Sequence, residues 1–167
     1  SYTKLDDQGN PTPDSPWAMV RDDITGLIWE VKTDGGTHNK NETFTWSSSI
    51  SFIQSLNSSN FGGFSDWRLP TIDELASIVN FGQNSPSIDQ NYFPNTTSNV
   101  YWSATPSSNY PDKAWGISFY SGTNNNYLKT ESHYIRAVRG AQTLSSSSDH
   151  LVSNGDQTVT DTKTGLM

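Results

Sequence analysis

The chain has 167 residues, no cysteine and a formal net charge of −7 from 10 basic and 17 acidic side chains, a length that fits one domain with tails. The missing cysteine excludes disulfides, thiol catalysis and Cys-ligated zinc, and the acidic balance argues against a nucleic-acid partner, which needs a basic surface to release counterions. No stretch approaches the ~20 apolar residues of a membrane span, so membrane insertion is not expected.

Residues 1–16 read as turn-rich, from Gly9-Asn10-Pro11 to Ser15-Pro16. Ala18 to Val31 reads as a β-hairpin, with Trp29 and Val31 alternating against Glu30. Its turn lies at Asp22-Asp23-Ile24-Thr25-Gly26, where glycine supplies the dihedral freedom a tight turn needs. Residues 33–43 form a polar loop. From Thr45 to Leu56, Trp46, Ile50, Ile53 and Leu56 fall at near-helical spacing. The serines between them are poor helix formers, so packing must hold this helix. In Asp66-Trp67-Arg68-Leu69-Pro70-Thr71-Ile72-Asp73-Glu74-Leu75, Thr71 and Glu74 make a capping box and Asp73 complements the helix dipole. The buried stripe is Ile72, Leu75, Ile78 and Val79, and Gly82 stops the helix after Phe81.

Residues 83–99 read as loop, anchored by Phe93. Strands follow at Val100–Ala104, Ala114–Tyr120, Tyr127–Thr130 and Tyr134–Arg139. Trp115, Ile117 and Phe119 share one face of the second, and Ser121 to Asn126 is the turn after it. Residues 141–158 lack periodicity and read as a linker. Val20–Ile28 then returns as Val159–Met167, with Val, Asp, Thr, Gly and Leu matching in register. That period far exceeds the ~20–50 residues of a solenoid repeat, so residues 159–167 read as the first strand of a second, truncated copy of a domain spanning 1–140.

The elements Asp22 through Trp29, Asp66 through Thr71 with Glu74-Leu75, Tyr101-Trp102-Ser103, Ala114-Trp115 with Phe119 and Gly122, and Val138-Arg139 occur in the order of a bacterial family. The chain resembles the Legionella collagen-like protein C-terminal domain family over roughly residues 17–140. Where relatives often carry cysteines, this chain has Ala18-Met19 and Phe61-Gly62-Gly63. The motif set is also similar to C-type-lectin-like folds of the formylglycine-generating type. The resemblance implies an α+β domain, with two helices flanking small antiparallel sheets and long ordered loops presenting a ligand face. It further implies a secreted or cell-surface adhesive module, with trimers in some relatives and a homo-oligomer as one candidate state. A relative binds sulfated glycosaminoglycans, but a net charge of −7 repels such polyanions.

Trp29, Trp46, Trp102 and Trp115 read as core, and Arg68 as a fork tying loops together through backbone carbonyls. The ligand-binding candidates lie in loops: Asn109, Tyr110 and Asp112 between two strands, and Asn124, Asn125, Asn126 and Tyr127 at a hairpin tip. Tyrosine brings a rigid ring and asparagine a two-sided amide, the pairing adaptable recognition surfaces use. Calcium is a candidate cofactor, with Asp6-Asp7-Gln8-Gly9-Asn10, Asp22-Asp23 and Asp112 as candidate ligands, though none fits an EF-hand. His38, His133 and His150 lack i, i+4 partners, so zinc is not expected. No nucleophile elbow is present, Asp73 and Glu74 are explained by capping, and the chain has no redox cysteine pair like that of formylglycine-generating enzymes. The expectation is a binding module for a glycan or a host or cell-surface protein, not an enzyme. The alternative is a structural spacer repeat with no ligand of its own.

Overall fold

A computed structural model describes residues 1–140 and the backbone of two short strands at 151–153 and 159–161. Its elements run β1 (Tyr2–Leu5), β2 (Met19–Asp22), β3 (Ile28–Glu30), α1 (Ser48–Ser58), α2 (Ile72–Ser77), β4 (Val100–Pro106), β5 (Lys113–Ser118), β6 (Thr123–Leu128), β7 (Val138–Arg139), β8 (Leu151–Ser153) and β9 (Val159–Asp161). The fold class is α+β. One antiparallel sheet has the order β1-β2-β3-β7, a second the order β4-β5-β6, and β8 pairs with β9.

The β2–β3 hairpin forms where alternation places it, and Asp22 explains its turn. Its carboxylate accepts from the Ile24 amide at 2.9 Å and the Thr25 hydroxyl at 2.9 Å. Gly26 sits at φ 73°, the left-handed region this turn requires. The strand β1 corrects the turn-rich reading of residues 1–16. Tyr2 faces Asp22 and Leu5 faces Met19, but Thr3 and Lys4 hide the alternation from sequence. At the other end of the chain, Leu151 faces Asp161 in the β8–β9 pair. Leu151–Ser153 is strand where a linker was expected. The other expected linker residues, 141–150 and 154–158, and residues 162–167 of the expected repeat lie outside the described residues.

The serines of α1 return their hydroxyls to the helix itself: Ser49 donates to the Trp46 carbonyl at 2.6 Å and Ser55 to that of Phe52 at 2.7 Å. The helix starts later than expected and buries Phe52, Ile53 and Leu56. Ile50, expected inside, is 52 % exposed. The capping box of α2 is present in full: Thr71 accepts from the Glu74 amide and Glu74 from the Thr71 amide. This helix is shorter than its stripe suggests. It ends at Ser77, so Ile78 and Val79 are buried and half-buried from the segment after it, and Gly82 is not its stop.

The sheet of β4, β5 and β6 lies between two apolar clusters. Strand alternation sends Trp102 and Ala114 into one, with Leu56 and Trp67, and Tyr101 and Ile117 into the other, with Trp29 and Leu75. Alongside the apolar core runs a buried charge network. The Glu30 carboxylate, fully buried, accepts from Lys32 Nζ and His38 Nδ1 at 2.8 Å each and from the Ala137 amide at 2.9 Å. Buried Arg136 donates to the Glu30 carbonyl at 2.6 Å and to Thr96 Oγ1 at 2.7 Å. Burial alone would raise the Glu30 pKa, but the Lys32 charge and the hydrogen bonds of His38 and Ala137 lower it from 4.5 to about 2.

Candidate functional site

The motif residues hold the fold. Arg68 pairs bidentately with Glu74, both contacts at 2.7 Å, and gives a further bond to the Gly140 carbonyl at 2.9 Å. Its fork thus ties α2 to Gly140, just past the end of β7. Burial by itself would raise the Glu74 pKa, but the bonds from Arg68 and the Thr71 amide hold it below its usual range. Arg139 clamps Asp66 at 2.7 and 3.1 Å and lies 3.7 Å over the Phe64 ring. Trp67 donates to the Phe61 carbonyl at 3.0 Å and Trp102 to that of Phe44 at 2.9 Å. These side chains are committed to the fold.

The expected binding residues separate. Asn109, Tyr110 and Asp112 lie in the β4–β5 connection, where Tyr110 is 52 % exposed and Lys113 stacks over its ring. Asn124 to Tyr127 are not a hairpin tip but strand β6, and the turn before them is Phe119–Gly122. The two groups start from opposite ends of the sheet. Only Tyr127 and Leu128 come back near Asp112, whose carbonyl accepts from the Lys129 amide at 2.8 Å. Alternation then splits the strand. Asn125 and Tyr127 face the side of Gly116 and Ala114, and Asn124 and Asn126 the side of Ile117 and Trp115. Tyr127 packs edge-on against Trp102 and His133 and is half-buried, so its ring supports the core. Trp115 and Trp46, expected as core, are only half-buried.

Two clefts stand out. The larger, about 510 Å³, is almost wholly apolar and runs beside Trp46, Ile50, Leu69 and Ala104. Its polar groups are already committed, the Trp46 indole to the Ser103 carbonyl at 2.9 Å and the Arg68 fork to Glu74. The second, about 460 Å³, lies between the end of α2 and β6. Ala76, Val79 and Phe81 line one side, Ile117 the floor, and Thr123 and Asn124 the other side. Phe81 is 77 % exposed and Tyr120, in the adjoining turn, 64 %. Gly122 allows this arrangement: at φ 74°, an added Cβ would stand 2.8 Å from Val79 Cγ1 and 2.9 Å from Phe81 Cε1. Sequence reasoning found Asn124 and missed Phe81 and Tyr120. A signal for Phe81 was present, since it falls off the stripe of Ile72, Leu75 and Val79.

Of the acidic calcium candidates, Asp6 and Asp22 serve turns. Asp6 Oδ1 accepts from the amides of Gln8 at 3.0 Å and Asn10 at 2.8 Å, and these bonds hold its pKa below the usual range. Asp22 closes the β2–β3 turn. Among the described residues no three carboxylates or imidazoles converge as a metal would need, and no helix is long and apolar enough to cross a membrane.

A comparison with curated proteins found no match. The model of one protein family does match, the Lcl C-terminal domain, over residues 18–139, and that span holds both sheets apart from β1 and the edges of the second cleft. The chain therefore belongs to the Lcl C-terminal domain family and is a domain of a bacterial surface protein.

Proposed function

We propose that this domain is an extracellular adhesive module, C-type-lectin-like in architecture, that recognises a glycan or a host or cell-surface protein at the cleft beside Gly122. One observation carries the reading: a large aromatic ring, Phe81, stands in water at the edge of a cleft whose wall carries the exposed amide of Asn124. Exposed apolar surface of this kind marks interaction sites on soluble domains, and a ring beside an amide suits recognition. The motif residues Asp66, Trp67, Arg68 and Glu74 are consumed by the scaffold, which leaves loop and edge residues to set specificity. The role is binding, not catalysis.

The test is binding of the multimerised, labelled domain to intact host cells, with calcium and with EDTA. The proposal expects saturable binding that Phe81→Ala weakens about tenfold, equivalent to ~1.4 kcal/mol. A spacer without a ligand predicts binding that never saturates or that ignores Phe81, and either result would remove the proposal. Loss in EDTA alone would assign a metal to the site.

A further inference from the structure

We infer that the ligand is an uncharged, hydroxyl-rich glycan chain lying along the groove between α2 and β6, and that polyanionic glycans are refused. The inference rests on the recognition reading above and names its ligand class. The first ground is the chemistry of the lining. Ala76, Val79, Phe81, Ile117, Thr123 and Asn124 carry no charge, so nothing in the cleft can offset a sulfate or a carboxylate. A net charge of −7 repels a polyanion before contact. What the cleft offers is a ring face, a hydroxyl and an amide. A pyranose matches these with its CH face and its hydroxyls. The volume of about 460 Å³ lies within the ~300–1,000 Å³ of small-ligand clefts.

The second ground is the continuation of the row beyond the cleft. Asn124 faces Ile117 and Asn126 faces Trp115, on the same side of the strand pair. The two asparagines are therefore about 7 Å apart along β6, a spacing that successive rings of a linear chain can meet. Trp115, half-buried and absent from both apolar clusters, supplies a second ring along the same row. Beyond Phe81 and Asn124 at the cleft, the strand pair then places Trp115 and Asn126 directly opposite each other.

The experiment is native electrophoresis of the domain through gels containing galactomannan, xylan or dextran, with dextran sulfate as the charged counterpart. At least one uncharged polymer is expected to retard the domain, and high salt to leave that retardation intact, because no ion pair is involved. Asn124→Ala and Phe81→Ala are expected to weaken it about tenfold each. Asn125→Ala, on the opposite side of the strand, is expected to change nothing and controls for folding. Retardation by dextran sulfate alone, abolished by salt, overturns the inference in favour of charge-driven binding. Failure of every uncharged polymer also overturns it. If cell binding then still depends on Phe81, the recognition site stands with a protein partner. If neither assay responds to Phe81, both readings fall.

Discussion

Replacing Glu30 by Gln keeps the size of the side chain and removes its charge, which makes it a sharp probe of the buried network. Glu30 offers two acceptor oxygens: Oε1 takes Lys32 and His38, and Oε2 takes the Ala137 amide. Glutamine offers one acceptor and a donating NH₂, so one of these donors must face another donor. Lys32, 4 % exposed, and Arg136, fully buried, are left without the only carboxylate bonded within the network. The size of the effect follows from the pKa. A carboxyl lowered from 4.5 to about 2 contributes roughly 3 kcal/mol to folding at neutral pH. Stranding a buried cation raises the expected loss to ~3–5 kcal/mol. That is a large part of the ~5–15 kcal/mol typical of a domain, and it lowers Tm by about 10 °C. Urea unfolding at pH 7 reads the change, with an unchanged m-value expected. The pH dependence has a definite sign. Because the folded pKa is depressed, the stabilisation is complete above about 4.5 and fades as pH falls towards 2. Glu30→Gln therefore loses the acid-sensitive part of this curve. A loss below ~1 kcal/mol, or an unchanged acid profile, would refute the assignment of a stabilising role to this network.

Other expectations follow from single contacts. Thr71→Ala removes the acceptor for the Glu74 amide and should cost about 1 kcal/mol in urea unfolding. Arg68→Lys replaces a fork that holds Glu74 and Gly140 with a point charge and should cost ~1–3 kcal/mol, read as a fall in Tm. Gly116→Ala sets a Cβ 2.8 Å from the Tyr101 carbonyl oxygen between two paired strands, and ~1–3 kcal/mol should be lost. Gly122→Ala, strained at φ 74° and in collision with Val79 and Phe81, should lose stability by ~1–2 kcal/mol and weaken ligand binding in the same preparation.

The elements legible in the sequence are those whose signal is local. The capping box of Thr71 and Glu74, the Asp22 turn and the alternation of Trp115, Ile117 and Phe119 each sit within a few residues, and each is found in its expected place. The β1 strand was not legible because Thr3 and Lys4, on opposite faces of a sheet-edge strand, are polar and break the apolar alternation: Thr3 donates to Asp23 and Lys4 lies over the Trp17 ring. The inner face of α1 was misjudged because Trp46, just outside the helix, mimics its period, so Phe52 and not Ile50 is buried. At the site, Asn124 was legible as part of a polar run, but its neighbours were not separable until the run was known to be a strand. A strand of period two sends Asn124 and Asn126 to one side and Asn125 and Tyr127 to the other. Phe81 and Asn124 line one cleft only through the placement of Val79 and Phe81 against Gly122, a tertiary contact that no local pattern carries.

The most direct test of the recognition cleft is to map the ligand on the domain by backbone amide chemical-shift changes, titrating in an oligosaccharide of whichever polymer retards it. The account predicts the largest changes at Val79 to Gly82 and at Ile117 to Asn126, with Asn109 to Asp112 and the apolar cleft beside Trp46 and Ile50 little affected. Changes centred on Trp46, Ile50 and Arg68, or confined to Asn109 to Asp112, would contradict it.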